Sequence, residues 1–256
     1  MSVHTGITRS SVQRNHALIA PESHVMATFP DWHQAEVITL ISAHLGAHFT
    51  QYMVQFLPQG GHGPAAGRNT ERFLLVLEGS VRIEAEEGQH DLAVDGYAYF
   101  PPGHHHRIIA SGRARILCFE KHFEPIVGLE TSAHGLRKIV SNMNDVPGEA
   151  FLGDPDAILK HLLPDEPGWD MALNTFQFAP GGTLPQVEVH VMEHGLYVLE
   201  GQGVYRLGDN WYPVQKGDTI WMAPYLPQWF VASGKHPTRY IYYKDMNRDP
   251  ALRIHP

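Results

Sequence analysis

The stretch QVEVHVMEHGLYVLEGQG, residues 186–203, sets a carboxylate and two imidazoles close together at Glu188, His190 and His194. In an extended chain alternate side chains share a face, so Glu188 and His190 can grip one ion from the same side. His194 follows four residues later, after the turn-like VME, at the start of an apolar run. A local reversal of that kind can return a third ligand to the same ion. One carboxylate with two imidazoles suits a borderline or hard divalent ion such as manganese, iron, nickel, cobalt or zinc. Three such ligands leave coordination positions open, and a fourth is expected from elsewhere in the fold. Glu193 lies beside the set but off its spacing, and reads as a solvent-facing residue or one that supports a ligand.

The elements that must hold these residues are strands. Short apolar and β-branched runs such as FLLVLEG, VRIEAE, LYVLEG and DTIWMAP are separated at close intervals by Gly, Pro, Asp and Asn. The pattern also repeats. VLEG at Val76–Gly79 returns at Val198–Gly201, an offset of 122, and Pro58 and Gly60 pair with Pro180 and Gly182 at the same offset. DGYAYFPPG from Asp95 parallels KGDTIWMAP from Lys216, with Gly96 and Gly217 offset by 121. Agreement over about 45 residues, including the glycines and prolines that set turns, points to a duplicated unit. The rhythm is that of antiparallel sandwiches or barrels. Between the copies, GDPDAILKHLLP offers Asp154 as an N-cap, Pro155 in a first turn and Pro164 as a stop, which predicts one short helix.

Composition narrows the partners. The chain of 256 residues carries a formal charge of −8, with no basic stripe to neutralise phosphates, so a small molecule is expected rather than nucleic acid. No run approaches the roughly 18 apolar residues of a membrane helix, and the polar N-terminus lacks the apolar centre of a secretory signal. A cytoplasmic protein is expected. The single cysteine, Cys118, sits in the apolar run RILCFE and reads as a buried, inert thiol. Eighteen histidines make imidazole, carboxylate and polar oxygen the available metal ligands.

The spacing from Gly182 through Glu188, His190 and His194 to Gly201 resembles the first motif of the cupins, whose usual ligand order is His, His, Glu. Here the acid stands first. The second cupin motif starts at a glycine, here Gly217, has Ala223 and Tyr225 at its proline and glycine positions, and places Gln228 where a histidine ligand is usual. With HVMEHGLYVLEGQGVYRLGDNWYPVQKGD and the tail YIYYKDMNRDP, the chain resembles the (S)-ureidoglycine aminohydrolases, bicupin enzymes of allantoin degradation. The likeness runs from about RNHALIAP to NRDP.

That resemblance implies an all-β bicupin, two antiparallel jelly-roll barrels in one chain with few short helices. Residues 1–125 would form an N-terminal cupin and 126–256 a C-terminal cupin that carries the active site. It implies one manganese ion per chain in the C-terminal cupin, held by Glu188, His190, His194 and Gln228, and hydrolysis of (S)-ureidoglycine to (S)-ureidoglycolate and ammonia. It also implies a homo-oligomer. Tyr205, Tyr240 and Lys244 match substrate-pocket positions, with Tyr240, Lys244 and Glu188 as candidates for proton transfer. In a strand RYIYYKD, Tyr240, Tyr242 and Lys244 share one face. Transferring the ligand spacing to the first copy finds Ala66, Arg68 and Arg72, which predicts a metal-free N-terminal barrel. His104–His106 in PPGHHHR then reads as a polar loop, although His106 can fall at the fourth-ligand position. The competing readings are another metal-dependent cupin enzyme, a dioxygenase or sugar-acid isomerase, and a non-enzymatic ligand-binding cupin.

Overall fold

Runs rich in Val, Ile, Tyr and Phe, cut short by turn residues, leave little chain for helices. The computed structural model describes residues 7–63, 69–126 and 136–249. Among them are twenty strands and two 3-10 turns, Pro21–Ser23 and Ala43–Leu45. The chain divides into two units, each built on a barrel-like arrangement of antiparallel strands.

One unit takes the described residues up to His24, Gly148–Lys160 and Leu173–Lys244. Its main sheet has eight strands in the order Ser11–Val12, His16–Ile19, Thr219–Met222, His194–Glu200, Thr238–Asp245, Met171–Phe178, Asp154–His161, Glu149–Phe151. A second sheet orders Asn210–Gln215, Gln202–Leu207 and Gln228–Ala232. Inward residues of both sheets, among them Leu196, Val198, Tyr205, Phe230, Tyr240 and Tyr242, form one buried core. The other unit takes the described residues of Val25–Pro147, His161–Ala172 and the segment from Asp245. Its nine-stranded sheet encloses a core that includes Val54, Leu74, Ile83, Phe100, Ile116 and Cys118. The Cys118 thiol has no solvent exposure, as its apolar surroundings in the sequence suggested.

The repeated VLEG ends in a demanding turn. Gly79 has φ 70° and Gly201 φ 78°, and a Cβ at either would fall 2.3 Å from the Arg113 carbonyl oxygen or 2.6 Å from that of Pro237. Only glycine combines the left-handed conformation with that closeness, which accounts for its return at the same offset.

The helix expected in GDPDAILKHLLP is instead the strand Asp154–His161, paired with Glu149–Phe151. Leu152 (φ 51°) and Gly153 (φ 85°) make the tight link between them. Ala157 and Leu159 are buried while Asp156 and His161 are exposed, so the apolar period is two and not 3.6. Asp154 serves the turn, accepting from the Asp156 amide at 2.9 Å.

Candidate active site

Glu188 lies outside the named strands, in an isolated antiparallel bridge with Gln228. The two backbones exchange hydrogen bonds of 2.9 Å each way. That bridge sets two proposed ligands side by side. Alternation still holds across it: Val187 and Val189 are exposed, whereas Glu188 and His190 are half-buried. The amide of Tyr225 donates to the His190 carbonyl at 2.7 Å, closing the loop before His194 starts its strand.

The side chains gather at a small cavity of about 20 Å³. Its wall includes Glu188, His194, Gln228, Tyr205, Tyr240 and Tyr242, with Phe176 and Leu196 completing the lining. Tyr205 donates its hydroxyl to Gln228 Oε1 at 3.2 Å, and Gln228 Nε2 lies 3.1 Å from His190 Nε2. The rings of His190 and His194 stack with centroids 4.7 Å apart. Lys244 sits directly across the strand pair from His194, on the same face as Tyr240 and Tyr242.

Electrostatics tie Lys244 to the set. Burial raises Glu188 above 4.5, and the Lys244 charge opposes that rise. Burial lowers His190, with Lys244 adding to it. His194 lies well below 6.5 through burial, then through His190 and Lys244. Burial also raises the phenols of Tyr205, Tyr240 and Tyr242, which keeps their protons on at neutral pH.

Among the described residues, no three His, Cys, Asp or Glu side chains converge closely enough to enclose a metal ion. The donor set nevertheless suits one. Nδ1 of His190 and Nδ1 of His194 are both buried without a hydrogen-bond partner. Two imidazoles kept neutral, a carboxylate and an amide oxygen are ligands for a divalent cation.

Glu193 is not solvent-facing: it is 1% exposed and accepts from Trp221 Nε1 at 3.3 Å. The strand's alternation sends it to the face opposite His194, where Trp221 covers it. Sequence reasoning placed Tyr242 on the correct face without assigning it to the cavity, and missed Phe176. Period-two alternation along Tyr240, Tyr242 and Lys244 carried the first signal; no local signal marked the second.

The other barrel fills the corresponding place differently. Arg72 is 5% exposed; its Nε donates to Glu120 Oε1 at 2.5 Å and its NH1 to His106 Nε2 at 3.0 Å, while NH2 lies 3.3 Å from His62 Nε2. Tyr52 also donates to Glu120 Oε1, at 2.8 Å. Burial and the Arg72 charge lower His62 to about 4 and His106 to about 3, so both are neutral beside the guanidinium. His106 is therefore no part of a polar loop. It opens the strand His106–Ala110, is 2% exposed and stacks on Phe100 at 3.5 Å, because the alternation that leaves His105 and Arg107 in solvent turns it inward. Ala66 and Arg68 lie outside the described residues.

Two antiparallel barrels, one with a ligand-type cluster at its mouth, define a two-domain cupin, and the cupin-domain family signature matches residues 52–120 and 174–243. Relatives narrow this. The (S)-ureidoglycine aminohydrolase of Arabidopsis thaliana is 41% identical over 251 residues, covering 96% of this chain and 80% of the plant protein. That of Escherichia coli K12 is 34% identical, covering 92% and 90%. The crystal structure of protein Ylba from E. coli superposes with a TM-score of 0.83 at 33% identity, covering 94% of this chain and 96% of that one. The chain belongs to the (S)-ureidoglycine aminohydrolase family, a family of hydrolases.

Proposed function

We propose that this chain catalyses the manganese-dependent conversion of (S)-ureidoglycine and water to (S)-ureidoglycolate and ammonia, within purine and allantoin catabolism. The observation that carries this reading is identity of 41% to a named ureidoglycine aminohydrolase along 96% of the chain. The first barrel, with Arg72 in its third ligand slot, would hold no ion. The exposed edge strand Asn210–Gln215 supports assembly as a homo-oligomer, and the work is assigned to the cytoplasm. Among the described residues no helix is long and apolar enough to cross a membrane.

The substrate's central carbon bears an amine, a ureido nitrogen and a carboxylate, so it is already prone to lose ammonia. The protein must hold it, select a face and move protons. Glu188, His190, His194 and Gln228 would hold the manganese, which supplies Lewis acidity that orients substrate and offsets developing negative charge. Lys244, in register with His194, presents an ammonium suited to the substrate carboxylate or to proton transfer. Glu188, raised by burial and steadied by Lys244, is suited to take a proton. The Tyr205 and Tyr240 hydroxyls can hydrogen-bond substrate or water.

The test is to give purified, manganese-loaded protein freshly generated ureidoglycine and follow ammonia and product chirality. No acceleration over spontaneous decay would overturn the proposal. Glu188→Ala and His190→Ala should lose manganese and ammonia release together, and full metal occupancy in either would remove that residue from the ligand set. Lys244→Ala should keep manganese and lose turnover.

A further inference from the structure

One phenol at the cavity has no part in the reaction as set out above. Tyr242 is 8% exposed, and its neighbour Asn174, on the strand Met171–Phe178, is 1% exposed. Asn174 Nδ2 donates to the Tyr242 hydroxyl oxygen at 3.3 Å. An amide that fills a lone pair of a phenol leaves the phenol's own proton to be given elsewhere. Tyr242 lines the cavity with Glu188, His194 and Gln228, so that proton is available on the substrate side.

The ring of Tyr242 has a second task. It lies nearly parallel to the imidazole of His194, with centroids 5.5 Å apart and planes 7° apart, and to Phe176, at 5.7 Å and 10°. The packing limits rotation of the His194 ring. Most metal-binding imidazoles are oriented by a hydrogen bond on the nitrogen away from the ion. A flat aromatic surface against the ring restricts its orientation in a comparable way.

The first barrel supplies a contrast. Tyr242 pairs across the strands with Leu196, and at the corresponding register Leu74 faces Cys118. A buried thiol there is only a weak hydrogen-bond donor. The phenol is found in the barrel that carries the ligand set.

We propose that Asn174 and Tyr242 act as one unit at this site. The Tyr242 ring holds the His194 imidazole in its binding orientation, and the Tyr242 hydroxyl, oriented by Asn174, donates a hydrogen bond to an oxygen or nitrogen of the bound substrate. Asn174 is a positioning residue. The hydroxyl's role rests on the reaction proposed above, whereas the ring's role rests only on the ligand set.

The experiment separates the two roles. Tyr242→Phe keeps the ring, and should bind manganese within two-fold of wild type while kcat/KM for ureidoglycine falls ten-fold or more. Tyr242→Leu removes the ring, and should weaken manganese binding, followed by titration and by metal analysis, about ten-fold or more. Asn174→Ala should lower kcat/KM several-fold in the wild-type background and by less than two-fold when Phe replaces Tyr242, because nothing is then left to orient. Circular dichroism checks that each variant is folded. Full turnover by Tyr242→Phe, or an equal effect of Asn174→Ala in both backgrounds, overturns the hydroxyl's role. Wild-type manganese affinity in folded Tyr242→Leu overturns the ring's role whatever the activity. Wild-type protein that binds manganese but releases no ammonia overturns the proposed reaction and the hydroxyl's role with it, while the ring's role stands or falls on the Tyr242→Leu affinity.

Discussion

Two buried acids in the first barrel share one lysine, and the pH dependence of stability should report it. Glu71 and Asp170 are both 0% exposed. Tyr99 donates to Glu71 Oε2 at 2.7 Å; Lys121 and the Glu124 amide, the latter at 2.8 Å, donate to Asp170 Oδ2. Lys121 Nζ also lies 4.0 Å from Glu71 Oε1. The remaining oxygens, Glu71 Oε1 and Asp170 Oδ1, have no partner that always carries a proton. A single proton on Glu71, shared with Asp170, satisfies both and leaves one negative charge facing one positive charge. Burial first, and then the charge of Asp170, raise Glu71 well above its ordinary 4.5.

The sign follows from linkage. The folded state keeps a proton that the unfolded chain releases, so this contribution is fully present below about pH 4.5 and is lost as pH rises toward the raised folded value. Within that window the loss is about 1.4 kcal/mol per pH unit. Glu71→Gln keeps a donor toward Asp170 and an acceptor for Tyr99 but does not titrate. The free-energy difference between wild type and Glu71→Gln should therefore move in favour of the variant as pH rises above about 4.5, by up to about 1.4 kcal/mol per pH unit until the raised folded value is reached. Urea unfolding at a series of pH values measures this, read from the fluorescence of Trp169, which packs on Tyr99 at 4.7 Å. Parallel stability curves for the two proteins would refute the shared proton.

Arg72→Met should cost about 1–3 kcal/mol in unfolding of the first barrel, since Glu120 loses its cation and keeps only the Tyr52 hydroxyl, while manganese per chain by metal analysis stays unchanged. Gly203→Ala would put a Cβ 2.3 Å from Phe230 Cε2 and 2.4 Å from the Val231 carbonyl oxygen. It should lower stability by about 1–3 kcal/mol in urea and weaken manganese binding, because the strand it displaces begins at Gln228. Arg9 holds the wholly buried Asp218 through two hydrogen bonds of 2.6 and 2.7 Å, so Arg9→Ala should lower stability by about 2 kcal/mol in urea unfolding.

What the sequence made legible was carried by residues with a strict backbone or periodic meaning. Gly79 and Gly201 repeat because their turns admit no side chain, and that repetition exposed the duplication. Tyr240 and Lys244 fell on one face by a period of two, as they do in the sheet. The strand Asp154–His161 was misread because Asp and Pro serve a hairpin turn as readily as a helix start, and its alternation spans only two buried residues. His106 was misread because three consecutive histidines resemble a loop, whereas Phe100 and Arg72 turn only the last of them inward. The contacts of Asn174 with Tyr242 and of Glu193 with Trp221 join segments 68 and 28 residues apart, beyond what local pattern can reveal.

The two barrels also differ in where each keeps its charge, and the difference can be read at one register position. Arg72 stands directly across from Glu120, and His194 directly across from Lys244. In the first barrel the slot holds a permanent cation and the facing strand its counter-charge, so the polar interior is satisfied from within the chain. In the second the slot holds a neutral imidazole and the facing strand the cation, which draws Glu188 toward its ionised form. The guanidinium is bonded to Glu120 and His106 of its own barrel. Under the proposed function, the neutral imidazoles and the carboxylate would receive the cation, and the ammonium the anionic substrate. Exchange of the slot residue and its facing partner thus moves the cation from the slot itself to the strand that faces it.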